Sequence, residues 1–183
     1  MEDGARAYLS VKHWKEDQFE NWVEDDLRFH SNRYAYFGPT LRMLPVFFGW
    51  SGVAFADIRD LNRHRTGSKE CSLYPRGFYG ARDQSVDSTL DSLLATGRNL
   101  TQLAKNHAEE AGPPIFVYWI LLGTQFSFEH TTTADKFIYE AELRTGLGAH
   151  YRYAKHLHDV LALWYEKFPE TKGLILEGQA EPE

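Results

Sequence analysis

Residues 59–72 read RDLNRHRTGSKECS, the densest run of chemically active side chains in this chain. Three cationic or titratable groups stand side by side in it, namely Arg63, His64 and Arg65. Two hydroxyls and a carboxylate follow within seven residues, namely Ser68, Ser72 and Glu70. Arginine presents a rigid fork that pairs with phosphate, and histidine titrates near neutral pH. The segment therefore indicates a site for a planar, anionic ligand such as a nucleotide or a flavin.

The same residues also allow a simpler interpretation. An apolar, aromatic segment precedes them and is predicted to end in a short helix, so the three cations would lie near a helix C-terminus, where the macrodipole favours them. The arginines would then be solvated and paired with Asp57 or Asp60. The residues alone leave both interpretations open.

Composition limits the partners that the chain can have. It has 183 residues, of which 43% are hydrophobic and 15% aromatic, enough for a real core. Its formal net charge is −6, which disfavours binding to a nucleic-acid backbone because that requires an excess of Lys and Arg. A small local basic site remains compatible with this charge.

Cysteine content and hydropathy indicate the compartment. Cys71 is the single cysteine, so neither an internal disulfide nor a multi-cysteine zinc site is expected, and no metal site is predicted. An inert Cys71 is favoured over a nucleophile because no base is evident beside it. The longest apolar run, from Pro113 to Gly123, is too short to span a bilayer. These features predict a cytoplasmic protein without a membrane association.

Hydrophobic periodicity predicts an α+β fold dominated by helices, with a small mixed or antiparallel sheet. Helices are predicted over residues 14–30, 87–110, 134–144 and 149–168, and a strand over 41–50. Residues 53–62 are predicted as a helix that starts after Ser51 and Gly52, residues 69–84 as a loop and residues 123–133 as a turn. A single domain over 1–183 is expected, with residues 1–36 as a helical extension and 173–183 as a flexible acidic tail.

A second group of polar residues lies at the junction of the last two predicted helices. Arg144 ends one helix, His150 opens the next, and Gly146 and Gly148 between them permit close backbone approach. A ligand could rest against this junction. The alternative is an ordinary inter-helix turn in which Arg144 pairs with Glu140.

Together these residues resemble the flavin-dependent thymidylate synthases, the ThyX family. The sequence RHRTGSKECS from Arg63 is similar to the family signature RHRxxSxNExSxR, and AELRTGLGAHYRYA, residues 141–154, is similar to the family's second characteristic region. The resemblance extends over residues 41–169. It looks closest to the second domain of two-domain ThyX-like proteins.

Membership would imply a ThyX-like α+β fold, a homo-oligomer, either a tetramer or a dimer, and FAD bound between subunits. The implied reaction is the reductive methylation of a pyrimidine nucleotide, dUMP to dTMP. Methylenetetrahydrofolate would be the carbon donor and NADPH the source of hydride. The implied partners are thus a pyrimidine nucleotide and further copies of the chain.

The resemblance also implies roles for individual residues. FAD would be bound by Arg63, His64, Arg65 and His150. The nucleotide would be bound by Ser68, Glu70, Ser72, Arg76 and Arg144. Arg144 would also be catalytic, because a cation at the uracil edge stabilises negative charge on the ring.

The chain departs from the family signature at several positions. Lys69 alone separates Ser68 from Glu70, where the family has two residues, and Tyr74 stands near the place of the closing arginine, so that Arg76 is the nearby substitute. Asp60 stands where a nucleotide-binding glutamine is expected. These departures keep a second possibility open, that of a catalytically degenerate ThyX-like nucleotide-binding or structural subunit without turnover.

Overall fold

A computed structural model describes residues 4–12, 22–81, 90–111 and 115–178. The strands are β1 Arg6–Val11, β2 Pro45–Ala54, β3 Ser68–Phe78 and β4 Thr124–Thr133. The helices are α1 Trp22–Leu27, α2 Pro39–Met43, α3 Phe55–Leu61, α4 Asp91–Ala111, α5 Ala134–Thr145 and α6 Tyr151–Lys167, with short 3-10 helices at Ile115–Trp119 and Pro169–Thr171. The four strands form one antiparallel sheet in the order β1-β2-β4-β3. The predicted α+β class is confirmed.

The chain divides into two compact units. The first comprises Met1–Arg6, Trp50–Arg63 and Glu70–Phe128, and the second comprises Ala7–Gly49, His64–Lys69 and Glu129–Glu183. The prediction of a single domain over the whole length stays a prediction. Within the described ranges no helix has both the length and the apolar character needed to cross a membrane.

Aromatic side chains form the centre of the first unit. Trp50 and Phe128 stack with ring centroids 6.4 Å apart, and Phe55 meets the ring of Phe126 edge-on at 5.9 Å. Burial of such rings is the main stabilising term of a small core. Gln125 lies among them and donates to the Gly52 carbonyl at 2.6 Å, so its buried amide is hydrogen-bonded.

The core of the second unit lies between helices α5 and α6 and strand β2. Phe137 contacts Phe48 at 5.0 Å and Trp164 at 5.3 Å between ring centroids. The indole N–H of Trp164 donates to Thr171 Oγ1 at 3.0 Å, which satisfies it in a fully buried place. The helices predicted over 134–144 and 149–168 are confirmed as α5 and α6, because their apolar residues repeat with helical spacing.

Two predictions about strands are wrong. The segment predicted as a loop over 69–84 contains strand β3, whose side chains are mostly exposed and so leave no apolar pattern to detect. The turn predicted over 123–133 is strand β4. In β4 the buried side chains Phe126, Phe128, His130 and Thr132 alternate with their neighbours, and this period of two was a usable signal.

The helix predicted over 53–62 begins later than expected. Strand β2 continues through Ser51 and Gly52 to Ala54, and α3 begins at Phe55. Gly52 has a φ of +81°, the left-handed region that favours glycine, so it is a bend within the strand rather than the start of a helix. The three cations do follow the end of α3, as the sequence predicted.

Other predictions fall partly on residues outside the described ranges. This holds for residues 13–21 of the predicted first helix, 82–89 around the start of the helix predicted over 87–110, and 179–183 of the acidic tail. Within residues 1–36, the described part contains strand β1 as well as helix α1. The interpretation of residues 1–36 as a helical extension stays a prediction.

Candidate functional site

The segment 64–69, which comprises the end of the loop after α3 and the first two residues of β3, is held by hydrogen bonds to its own carbonyl groups. The Lys69 ammonium donates to the backbone oxygen of His64 and to that of Thr66 at 3.2 Å. His130 of strand β4 approaches the Thr66 oxygen at 2.6 Å through Nε2, which must therefore carry the proton. Two side chains thus fix the backbone of this loop.

Gly67 brings the loop close to strand β4. Its φ is +65°, and a Cβ atom at this position would run into the carbonyl oxygen of Thr131. Glycine is therefore required at residue 67 for two reasons, its backbone conformation and the lack of space. The close approach fixes the position of the loop against β4.

His64 and Arg144 are 80 residues apart in sequence and share a hydrogen bond. Arg144 Nε donates to His64 Nε2 at 2.7 Å. Since Nε2 accepts, the imidazole of His64 is neutral and its proton lies on Nδ1. The guanidinium carbon of Arg144 also lies 5.0 Å from the ring centroid of Tyr153, a cation–π distance. The two polar segments that the sequence identified therefore meet at this pair.

The surroundings of His64 favour its neutral form. His64 is 8% exposed, and its burial is the main cause that lowers its pKa below the usual value of 6.5. Glu140 acts in the opposite direction, while the charges of Arg144, Lys69 and His130 lower the pKa further. Protonation would also remove the acceptor that Arg144 uses.

Glu140 pairs with His130 rather than with Arg144. Glu140 Oε2 lies 3.3 Å from His130 Nδ1, and both side chains are 1% exposed. An inter-helix turn does follow Arg144, but among the described contacts none joins Arg144 to Glu140, so the pairing expected in the simpler interpretation is wrong. Four residues around His64 have roles that the sequence does not predict, because tertiary contacts between distant segments create them: Lys69, His130, Glu140 and Tyr153.

Arg63 is solvated and paired with Asp60, as the simpler interpretation of the three cations predicts. Its Nε lies 3.4 Å from Asp60 Oδ1, one turn back along the chain, and its side chain is 71% exposed. Such an exposed pair contributes little to stability. In the second unit Arg65, Ser68 and His150 are exposed, and His150 is the residue that precedes the first turn of α6.

Glu70, Ser72 and Arg76 lie on strand β3 in the first unit. They are spaced by even numbers of residues, so they share one face of the strand, and all three are exposed. Cys71, on the other face, is partly buried, and burial raises the pKa of its thiol. A raised pKa keeps the thiol neutral, which agrees with the prediction that Cys71 is not a nucleophile.

Comparison with known proteins identifies the fold. No protein-family profile and no curated protein matches the chain. A crystal structure of thymidylate synthase X (ThyX) from Helicobacter pylori with FAD and dUMP has a TM-score of 0.60 at 13% identity, covering 94% of this chain and 97% of that one. A second structure of the flavin-dependent enzyme ThyX from H. pylori, complexed with FAD and dUMP, has a TM-score of 0.56 at 14% identity, with coverage of 88% and 85%. The chain therefore has a ThyX-like fold.

Replacement of Gly67 by alanine tests the fixed loop. The left-handed backbone costs about 1–2 kcal/mol for a residue with a Cβ atom. The clash with Thr131 adds about 1–3 kcal/mol. Gly148→Ala is the matched control, because Gly148 also has a positive φ, +89°, and nothing lies within 4 Å of its Cβ position. In urea unfolding we expect Gly67→Ala to lose clearly more free energy of unfolding than Gly148→Ala. Equal losses would contradict the close approach.

The pH dependence of stability tests the neutral state of His64. Burial lowers the pKa of His64 in the folded state, so the folded protein binds a proton there less readily than the unfolded chain does. The contribution of His64 to the free energy of unfolding is therefore complete above pH 6.5 and decreases as the pH falls below that value. A glutamine side chain at this position would still offer an acceptor to Arg144 without titrating. We therefore expect His64→Gln to lose less free energy of unfolding than the wild type between about pH 7.5 and 5. His107→Gln, at an exposed position of α4, should follow the wild type. If the free energy of unfolding depends on pH in the same way in the wild type and in His64→Gln, the neutral state of His64 is contradicted.

Proposed function

We propose that this protein binds FAD and a pyrimidine nucleotide and methylates dUMP reductively to dTMP, as flavin-dependent thymidylate synthases do. The fold it shares with ThyX, whose structures contain FAD and dUMP, supports this proposal. So does the similarity of residues 63–72 to the family signature. Placement as a second-domain type within that group, and a cytoplasmic location, are part of the proposal.

The geometry of Arg144 carries the proposal. Its Nε is committed to His64 and its guanidinium lies over Tyr153, so the plane of the group is fixed. The described residues offer no partner to its two terminal amino groups. A planar donor pair of this kind matches the carbonyl edge of a uracil ring. A cation fixed there would also stabilise negative charge that develops on the ring during the reaction.

The exposed basic residues fit the charge of FAD. Arg65 and His150 present cationic or titratable groups to solvent, and these suit the pyrophosphate and the polar flavin edge. His64 would contribute through Nδ1, since its Nε2 is used by Arg144. Arg63 would exchange its weak pairing with Asp60 for a phosphate contact. FAD, when bound, supplies hydride transfer, with NADPH as reductant and methylenetetrahydrofolate as carbon donor.

The remaining proposed contacts hold the nucleotide. Ser68 and Ser72 offer hydroxyls, Glu70 accepts from a sugar hydroxyl, and Arg76 pairs with phosphate. All four side chains are exposed, so they are accessible to a ligand.

The second candidate is a nucleotide-binding or structural subunit without turnover. The observation that favours it is the segment 64–69, in which Lys69 stands where the family signature has two residues. Its ammonium donates to the loop's own carbonyl groups, so this side chain stabilises the shortened loop instead of facing a ligand. Substrate binding without product would identify this candidate.

A homo-oligomer is supported by apolar side chains that the first unit leaves exposed. They lie on α4 and on the segment after it, namely Leu93, Leu103, Ile115, Tyr118, Trp119 and Leu122. Their spacing in the sequence places Leu93 and Leu103 on the apolar stripe of the helix predicted over 87–110. A second copy of the chain, in a dimer or a tetramer, would bury this surface.

Ligand binding tests the function directly. We expect the purified protein to show the visible absorption bands of oxidised flavin, or to acquire them with added FAD. Incubation with dUMP, NADPH and methylenetetrahydrofolate should yield dTMP by mass spectrometry. Arg144→Lys keeps the charge but loses the fork, so we expect dUMP affinity to fall by about tenfold or more.

Arg42→Lys is the matched control, because Arg42 also lies over a tyrosine ring, that of Tyr36 at 5.9 Å. It should leave dUMP affinity unchanged in calorimetry. If Arg144→Lys binds dUMP as tightly as the wild type does, the proposed role of Arg144 in nucleotide binding is contradicted. Binding of both ligands without dTMP would leave the second candidate.

Disruption of the exposed apolar surface tests the oligomer. A charge at the centre of an apolar interface is costly to bury, so Leu103→Glu should lower the mass of the particle in light scattering. Leu147→Glu is the control, since Leu147 is 76% exposed and lies in the loop between α5 and α6. A wild-type protein that stays monomeric at high concentration would contradict the oligomer.

A further inference from the structure

Strand β3 and helix α4 of the first unit line a pocket of about 100 Å³. Three of its lining residues are cations, namely Arg76, Arg98 and Lys105. None of the described residues that line it is Asp or Glu. This composition is opposite in sign to the net charge of −6 that the chain carries.

Sequence spacing explains why the helix contributes these groups. Arg98, Thr101, Gln102 and Lys105 follow one another at intervals that place them on one face of α4. Arg76 faces them from the strand. The side of α4 that faces this part of β3 is therefore polar and basic, not apolar.

Two contacts set the separation of helix and strand. The ring of Phe78 approaches the backbone of Gly97 so closely that a Cβ atom there would lie 2.9 Å from Cε2 of the ring. Thr101 Oγ1 lies 3.2 Å from Thr124 Oγ1, which ties the middle of α4 to the start of β4. Glycine in a helix interior costs about 1 kcal/mol relative to alanine, so its presence at 97 reflects this close packing.

The contacts around Lys105 keep its charge at the pocket. The Lys105 ammonium lies 5.6 Å from the ring centroid of Tyr74, a cation–π contact that holds it in place. The Tyr74 hydroxyl donates a hydrogen bond to the nearby carboxylate of Glu109, which is not part of the lining. Two cations on the walls of one pocket, here Arg76 and Lys105, repel each other, and an anion between them relieves that repulsion.

We propose that this pocket binds a phosphate group through Arg76, Arg98 and Lys105. Pockets that enclose whole drug-sized ligands have about 300 Å³ or more, so a pocket of this size fits one small anionic group. Guanidinium groups bind phosphate oxygens in pairs and lysine adds a point charge. The source of the phosphate rests on the proposed function: it is the monoester of the pyrimidine nucleotide or the pyrophosphate of FAD.

The test measures binding of inorganic phosphate to the full chain by calorimetry. The double variant Arg98→Gln/Lys105→Gln removes two cations and preserves helix propensity. We expect its affinity for phosphate to be lower by at least about tenfold. The double variant Arg98→Lys/Lys105→Arg keeps both charges and should retain most of the affinity, which separates a lost contact from a damaged fold.

Lys155→Gln/Lys172→Gln is the charge-matched control, because it removes two exposed cations of the second unit. It should bind phosphate as the wild type does. Equal losses in this control and in the α4 variant would overturn the proposal, because they would reflect net charge alone. Failure of the wild-type protein to bind phosphate would overturn it as well.

Paired ligands identify the source of the phosphate. If the α4 variant loses affinity for dUMP but not for deoxyuridine, the group is the nucleotide phosphate. If it loses affinity for FAD but not for riboflavin, the group is the flavin pyrophosphate. A loss for inorganic phosphate alone keeps the site and overturns its assignment to either ligand. If neither dUMP nor FAD binds, the proposed function fails while the phosphate measurement still decides the pocket.

Discussion

The hydrogen bond from Arg144 Nε to His64 Nε2 is the constraint on which the candidate site depends. It joins helix α5 to the loop after α3, fixes the tautomer of His64 and turns the arginine plane onto Tyr153. A protonated His64 could not accept this bond, so burial and the bond favour the same charge state. The site therefore depends on the neutral state of one buried imidazole.

The predictable parts of the fold are those with a strong local pattern. Helices α5 and α6 followed from apolar residues at helical spacing, and the position of the three cations after α3 followed from the preceding apolar segment. Strand β3 is exposed along most of its length, so its sequence lacks the alternation of apolar and polar residues that predicts a strand. Resemblance to a family singled out both His64 and Arg144, but their pairing depends on contacts across 80 residues. Pairing of Glu140 with His130 depends equally on tertiary packing.

Helix α4 has an exposed apolar side and a basic side that faces strand β3. Leu93 and Leu103 expose apolar side chains, whereas Arg98 and Lys105 direct charge towards strand β3. The spacing of these leucines in the sequence suggests a helix that packs into a core. Their exposure indicates instead that this side of α4 is not covered within the described part of the chain. The proposed partner of the apolar side is another copy of the chain, while the proposed partner of the basic side is an anion.

The order β1-β2-β4-β3 has a consequence for how the chain acquires its shape during synthesis. Strand β3 has β4 as its sheet neighbour, and more than forty residues, including all of α4, separate the two in sequence. On the ribosome β3 therefore emerges well before the strand that completes its hydrogen bonds. Pairing of strands so distant along the chain is slow because loop closure must come first. Chaperones that shield unpaired strand edges would act during this interval.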